Sequence, residues 1–307
     1  MRAFAAAALL LGLAACTAPR TAELLVAGDG LPARAELAEV PFYPQEKYQC
    51  GPAALAMAAT WAGQPVTPDE LVPQVYTPSR EGTLRSDMLA AARRQGRLAT
   101  PVDGLRNLLT EIAAGHPVVV FQNLGFDWYP QWHYAVAIGY DLDQREIVLH
   151  SGLTARQRLD LSTFERTWER GSNWALVVLP PDRLPATARA ATVLTAAIGL
   201  ERADRLAEAA EAYRAIAKRW PDSFTARMGL GNALFGQDDF AGAVSAFQDA
   251  IAQRPTSAAA WNNLAYALAK QGQYARARQA AEQAARLSPV RAGGVREGVQ
   301  EASDKTL

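Results

Sequence analysis

The sequence predicts an α+β domain followed by an all-α array of helical repeats. Helical patterns come first, among them residues 53–62 and 84–95, and short strand-like runs follow between residues 117 and 179. Helices first and strands later indicate an α+β layout with a mostly antiparallel sheet. Beyond residue 188 the pattern instead repeats every 34 residues, which is typical of stacked helix pairs.

The predicted strands are short, β-branched and bounded by Gly, Asp or Pro. They cover residues 117–121, 134–138, 147–149 and 174–179. Pro180 and Pro181 then form a stiff hinge to the repeats. We therefore predict an α+β domain over residues 38–181.

The composition excludes several classes of protein. The 31 Lys and Arg residues balance the 31 Asp and Glu residues, whereas a nucleic-acid-binding protein usually has a basic excess. Two Cys are too few for a disulfide scaffold, and three His are too few for a His-rich metal store. We therefore expect no nucleic-acid partner, no metal and no cofactor.

The amino terminus has the shape of a secretory signal. One Arg is followed by an apolar run at residues 3–13, which is shorter than the ~20 residues that span a bilayer. The run ends Leu13-Ala14-Ala15-Cys16, which resembles the lipobox of bacterial lipoproteins. The resemblance implies a signal peptide at residues 1–15 and a lipid on Cys16. The alternative is an ordinary signal peptide with a chance Cys.

The segment after Cys16 indicates where in the cell envelope the protein is expected to lie. Thr17 follows the Cys, which suggests sorting to the outer membrane, so we expect an anchored protein on its periplasmic face. Residues 16–37 are small and mixed in character, and we expect them to form a tether.

Cys50 lies in a segment suited to a nucleophile. Pro52 fits the first turn of a helix, so the thiol would sit at the positive end of the helix dipole, which favours a thiolate. Gly51 would let a substrate backbone approach the sulfur. Gln45 and the Cys50 backbone N–H could donate to an oxyanion. The alternative is that Cys50 is a small buried apolar residue.

His133 is the candidate general base, because it begins a predicted strand and could face a cleft at the end of the sheet. A third residue should orient its imidazole. His150, at the end of the next strand, and Asn173 are the candidates.

The segments around Gln45, Cys50 and His133 resemble the papain-like cysteine peptidases that process bacteriocin leaders after a double glycine. The resemblance covers about residues 38–179. It implies that Cys50 is the nucleophile, His133 the general base and acid, and Gln45 the oxyanion donor. That family has Asp or Asn where this sequence has His150, so the third member is His150, Asn173 or none.

Residues 126–132 are rich in aromatic side chains just before His133. Either these side chains form a cleft wall that binds peptide, or they cover the core.

Pro221, Pro255 and Pro289 are spaced 34 residues apart, and small or large residues recur at fixed offsets before each. Alanines recur 12 residues before each Pro, at Ala209, Ala243 and Ala277. The pattern resembles about three tetratricopeptide repeats over residues 188–290, which implies a partner protein. Residues 291–307 are expected to be a flexible tail.

Asparagines recur within the predicted array, at Asn232, Asn262 and Asn263. They either bind an extended peptide backbone or are solvated.

Together these features predict a lipid-anchored envelope cysteine peptidase that acts on a peptide or protein substrate. One alternative is a cell-wall amidase or endopeptidase with a Cys-His-His site, which His150 would suit. A second alternative is a non-catalytic peptide-binding scaffold.

Overall fold

A computed structural model describes residues 19–26, 30–45 and 49–288. These fall into two compact units. The first holds the described residues up to Pro180 together with Pro185–Ala188, and the second holds Pro181–Leu184 and the residues from Arg189 onward. The predicted signal peptide, Cys16 and the tail at residues 291–307 lie outside the described residues.

The first unit combines helices with an antiparallel sheet. Its helices, among the described residues, are α1 (Pro19–Val26), α2 (Cys50–Trp61), α3 (Pro68–Val75), α4 (Arg85–Arg94), α5 (Leu105–Ala113) and α6 (Leu161–Arg170). Its strands are β1 (Arg34–Glu36), β2 (Tyr76–Thr77), β3 (Gly82–Thr83), β4 (Leu98–Pro101), β5 (Val118–Asn123), β6 (Trp132–Asp141), β7 (Glu146–Ser151), β8 (Thr154–Asp160) and β9 (Ala175–Leu179).

The main sheet has the strand order β4-β9-β5-β6-β7-β8, and β1 pairs with the far end of β6. Each pair in it is antiparallel, which confirms the predicted α+β class. Strands β2 and β3 form a separate small hairpin. Because β5 and β7 run in the same direction, they end at the edge of the sheet where β6 begins.

Helix α2 covers one face of the sheet. Residues 51–59 are all buried, because small alanines let the helix backbone lie close to its neighbours on every side. Tyr134, Val136 and Ile138 of β6 point toward it, and the alternate residues Ala135 and Ala137 point to the opposite face.

Helices α5 and α6 cover that opposite face. Phe164 and Trp168 of α6 stack with their ring centroids 5.7 Å apart, and both are fully buried. Burial of such a ring contributes about 2 kcal/mol or more. The start of β6 is therefore held from both faces.

Helix α1 docks onto α6 through one buried carboxylate. Glu165 accepts hydrogen bonds from the backbone N–H of Arg20 (3.1 Å) and of Thr21 (2.7 Å), and from the Thr21 hydroxyl (2.6 Å). Leu24 joins the core, and β1 extends the sheet. The tether expected over residues 16–37 therefore does not hold for α1 and β1.

The second unit is a run of paired helices. Among the described residues these are α7 (Ala190–Arg202), α8 (Leu206–Arg219), α9 (Phe224–Gly236), α10 (Phe240–Gln253), α11 (Ala258–Lys270) and α12 (Tyr274–Leu287). A Cβ on Gly229 would come within 2.4 Å of the Tyr213 ring, and one on Gly231 within 2.3 Å of the Phe247 ring. Small residues thus face large rings in successive pairs, as the 34-residue spacing predicts. No helix in the described part of either unit is long and apolar enough to cross a membrane.

Candidate active site

Cys50 is the first residue of α2, as predicted, and is partly buried. Burial raises the pKa of its thiol above the ordinary value. Hydrogen bonds from the backbone N–H groups of Tyr134, Gly51 and Cys50 itself oppose that shift without reversing it. The expectation that the helix dipole makes Cys50 a resting thiolate therefore fails, because desolvation outweighs the backbone donors.

His133 lies at the start of β6 and lines the same cavity as Cys50. Its Nε2 lies 2.9 Å from the Oγ of Ser151 at the end of β7. Burial lowers the pKa of His133 to about 4, so the imidazole is neutral near pH 7. Within the described residues no hydrogen bond joins His133 to Cys50. Catalytic hydrogen bonds are often long before substrate binds.

His150 does not contact His133, which corrects the orienting role expected for it. Its Nε2 donates to the Val40 carbonyl at 3.2 Å, and its Nδ1 accepts from the Arg156 backbone N–H at 3.2 Å. Both ring nitrogens are thus occupied. Successive residues of a strand point to opposite faces, so the next residue, Ser151, points toward His133 instead. The residue that contacts His133 is thus the one directly after the candidate His150.

Asn173, the other candidate orienting residue, does not take that place. It has a left-handed backbone with a φ of 51°. Its side-chain Oδ1 is buried without a hydrogen-bond partner in the described part of the chain. The structure therefore brings Ser151 to His133, and neither His150 nor Asn173.

Gln45 is buried beside the cavity and held at both ends of its amide. Its Nε2 donates to the Tyr134 carbonyl at 3.2 Å, and its Oε1 accepts from the Gly152 backbone N–H at 3.0 Å. Its own backbone N–H donates to the Gly152 carbonyl at 3.0 Å. An amide nitrogen carries two N–H donors, so one remains for an oxyanion. The structure thus places Gln45, Cys50 and His133 around one space, as predicted.

The cavity has a volume of about 760 Å³, within the range of binding sites for small molecules and peptide side chains. It is lined by Gln45, Cys50, Arg80, Glu81, Gly82, Thr83, Leu84, Arg85, Phe121, Trp132, His133, Tyr134, Gly152 and Ser172. Residues 80–85, from the β2–β3 hairpin and the start of α4, form one wall. Nothing in the sequence indicates this wall, because two-residue strands leave no periodic pattern.

Gly51 makes room for the β2–β3 hairpin. A Cβ on Gly51 would come within 2.4 Å of the Thr83 Oγ1 and 2.5 Å of the Thr83 Cβ. The Thr83 side chain therefore fills the space that the glycine leaves. The Tyr134 hydroxyl also donates to the Thr83 carbonyl at 3.2 Å. Gly51 thus lets the hairpin pack beside the sulfur.

Aromatic rings form a second part of the cavity wall. Trp132 stacks on Phe121 with a centroid distance of 5.2 Å, and the Arg85 guanidinium carbon lies 5.6 Å from the Phe121 centroid. Phe126, Trp128 and Tyr129 are exposed, so the alternative that these three rings cover the core is wrong. Trp132 lines the cavity, in agreement with the cleft-wall alternative.

Two family models match the chain. Residues 37–176 match the Peptidase_C39-like family, and residues 194–257 and 230–292 match the tetratricopeptide repeat. No curated protein matches the sequence significantly.

Solved structures resemble each unit separately. A C39-like peptidase from Bacillus anthracis is 20% identical with a TM-score of 0.41, over 48% of this chain and 98% of that one. The first tetratricopeptide domain of human RPAP3 is 17% identical with a TM-score of 0.35, over 38% and 90%. MamA is 23% identical with a TM-score of 0.33, over 38% and 75%.

Proposed function

We propose that this chain, a Peptidase_C39-like domain followed by tetratricopeptide repeats, is a lipid-anchored cysteine peptidase of the bacterial cell envelope. The observation that carries the proposal is the shared cavity of Cys50 and His133, in which Ser151 fixes the imidazole. A nucleophile, a base and a residue that orients the base are the parts that acyl transfer requires.

The proposed reaction starts from a neutral pair. We assign the Nε2 proton of His133 to its bond with Ser151, which leaves Nδ1 as the base. Nδ1 takes the Cys50 proton as the sulfur attacks the peptide carbonyl, because burial disfavours a separated thiolate beforehand. The free Gln45 N–H and the Cys50 backbone N–H stabilise the oxyanion. His133 then protonates the leaving amine, and water hydrolyses the thioester.

Ser151 limits how strongly the imidazolium of His133 is stabilised during this reaction. A hydroxyl orients an imidazole, but it carries no charge to stabilise the imidazolium that forms. A hydrogen bond to a charged partner contributes about 1.5–3 kcal/mol, against about 1 kcal/mol for a neutral one. We therefore expect slower turnover than an Asp in its place would give.

The tetratricopeptide repeats are proposed to recruit a protein partner. Asn263 donates to the Asn232 side-chain oxygen at 2.9 Å. Asn232 lies on α9 and Asn263 on α11, which are the first helices of two successive pairs. This bond uses one donor of Asn263 and leaves its second N–H for a peptide carbonyl. The two asparagines thus offer a polar strip along the array that an extended peptide could bind.

The proposed location rests on the lipobox resemblance at Leu13–Cys16 in the sequence. Lipid on Cys16 would hold the protein at the periplasmic face of the outer membrane. Metabolic labelling with a palmitate analogue tests this part alone, since Cys16→Ser should lose the label and Cys50→Ser should keep it.

The cell-wall alternative loses its specific support. It depended on a Cys-His-His site, and both ring nitrogens of His150 are bonded away from His133. The scaffold alternative keeps one observation in its favour, which is that burial raises the Cys50 pKa and leaves the resting sulfur protonated.

Turnover separates the peptidase from the scaffold. Purified protein is incubated with a panel of peptides that includes double-glycine leaders, and cleavage is followed by mass spectrometry. We expect cleavage by the wild type, none by Cys50→Ala, and unchanged cleavage by Cys16→Ser. Equal peptide binding by wild type and Cys50→Ala with no cleavage by either would favour the scaffold.

A further inference from the structure

Large apolar side chains are exposed at the end of the sheet that holds the candidate site. Trp128 is 82% exposed, Leu153 78% and Phe126 65%. We call the following set the apolar rim: Leu124, Phe126, Trp128 and Tyr129 of the β5–β6 loop, Trp132 at the start of β6, and Leu153 of the β7–β8 turn. Contiguous exposed apolar side chains of this kind mark interaction surfaces.

The β5–β6 loop holds its rings outward in a defined arrangement. The Asn123 side-chain oxygen accepts from the backbone N–H of Gly125 (3.0 Å) and of Gln131 (2.8 Å), which closes the loop. Phe126 and Trp128 stack within 5° of parallel at 5.6 Å. These hydrogen bonds and the ring stacking therefore fix the loop in a conformation that exposes its rings to solvent.

The occupant of the cavity does not account for these rings. Trp132 lines the cavity, as do Leu84 and Gly152, the neighbour of Leu153. Phe126, Trp128 and Tyr129 do not belong to that lining. A peptide confined to the cavity would therefore leave them in water, where they are available to a second surface.

The docked amino-terminal helix limits how far the proposed lipid site can lie from this loop. Glu165 holds Arg20 and Thr21 on α6, and Arg170 at the end of the same helix donates to the Asn123 carbonyl at 3.1 Å, at the base of the loop. Residues 165 and 170 are about 7.5 Å apart along the helix axis. Cys16 lies three residues before Pro19, a reach of at most ~11 Å.

We infer that the apolar rim lies in the bilayer interface that the lipid of Cys16 enters, so that the cavity opens at the membrane surface. The inference rests on the lipid anchor in the proposed function. Trp and Tyr favour the headgroup level of a bilayer, and an anchored protein gains from a second membrane contact. Asp127 is the one charged residue among residues 124–132, so few charges oppose insertion. Substrates would then be polypeptide segments close to the membrane.

Fluorescence quenching by lipid tests this. The full chain is purified in its lipidated form, checked by intact mass, and reconstituted into phosphatidylethanolamine and phosphatidylglycerol vesicles with or without brominated acyl chains. Trp128→Phe keeps an aromatic ring in the rim but removes its most exposed fluorophore. Trp220→Phe removes one tryptophan of the repeat region and is the matched control.

Brominated lipid should quench part of the wild-type emission. Trp128→Phe should lose a measurable share of that quenching and keep the share of Trp132, while Trp220→Phe keeps all of it. Quenching that is equal in wild type and Trp128→Phe, or absent from both, overturns the inference. If lipid does not quench the emission and a cleavable peptide instead shields Trp128 from solvent, the apolar rim is part of the peptide site. If intact mass shows no lipid on Cys16, the anchor fails by itself, and quenching with added vesicles still decides the rim.

Discussion

The Nε2 of His133 lies 2.9 Å from the Oγ of Ser151, across the ends of two neighbouring strands. This contact gives the imidazole of the candidate site an uncharged hydroxyl as its partner. Because burial also lowers the pKa of His133 to about 4, the site rests as an uncharged thiol and imidazole near pH 7. Charge would form only as the reaction proceeds.

Substitution of Ser151 should change how the imidazole is held. Ser151→Ala removes one neutral hydrogen bond, worth about 1 kcal/mol, and should lower kcat/KM about fivefold. Ser151→Asp should raise the pKa of His133 and increase kcat at neutral pH. Steady-state kinetics against pH measure both effects.

His150→Gln is the matched control for Ser151. It should lower thermal stability, because His150 bridges Val40 and Arg156, yet leave the pH profile of kcat in place. A shifted profile in His150→Gln with none in either Ser151 variant would restore His150 as the orienting residue.

The free enzyme should react slowly with a thiol reagent in mild acid. Burial raises the pKa of the Cys50 thiol, and a neutral His133 supplies no positive charge to lower it. The rate of iodoacetamide labelling should therefore increase with pH up to a midpoint above ~8.5, the ordinary thiol value. Ser151→Asp should move that midpoint down. A wild-type rate that is already maximal at pH 5–6 would show a preformed ion pair instead.

Gly51→Ala should displace the β2–β3 hairpin, because the new Cβ would meet the Thr83 side chain at 2.4 Å. We expect a loss of about 1–3 kcal/mol in the free energy of unfolding, with reduced cleavage. Gly51→Ala combined with Thr83→Gly should regain much of both. Denaturant unfolding and turnover are the measurements. Full stability with lost activity in Gly51→Ala would instead mean that the glycine admits substrate.

Glu111 should make the first unit sensitive to acid. Desolvation raises the pKa of this buried carboxyl, but hydrogen bonds from His116, Thr187 and the Ala186 backbone outweigh it, so the folded pKa lies below the ordinary value. A depressed folded pKa gives stability that is present above the unfolded pKa of ~4.3 and is lost as pH falls through the folded value.

Melting temperature against pH measures that effect. Glu111→Gln should flatten the acid slope and cost several kcal/mol, since it breaks a buried network. The control is Glu169→Gln, because Glu169 is an exposed carboxyl on α6 of the same unit. An acid slope unchanged by Glu111→Gln would contradict this account.

The repeat array and the main strands could be predicted from the sequence, because both leave local periodic patterns. Gly231 and Phe247, for example, occupy recurring offsets and meet in the structure. Strand β8 was missed, since its edge position leaves most of its side chains exposed and no apolar alternation. The docking of α1 was also missed, because Glu165 lies 144 residues from Thr21 and nothing local to either residue indicates the contact.

The candidate site, like the fold, could be predicted from the sequence only in part. Cys50, His133 and Gln45 were predicted from local sequence blocks, and the structure brings them to one cavity. The choice between His150 and Ser151 depends on which face of β7 each residue occupies beside a register shift after Leu149. A one-residue change in register exchanges the two faces, and the sequence alone did not fix it.

Trapping the acyl-enzyme tests the central claim most directly. The protein is mixed with a cleavable peptide, quenched in acid within one turnover, and digested for mass spectrometry. The account predicts a thioester on Cys50 that carries the amino-terminal part of the substrate, and its loss in both Cys50→Ala and His133→Ala. Peptide cleavage that persists in Cys50→Ala, or that proceeds in the wild type with the acyl group on another residue, would contradict it.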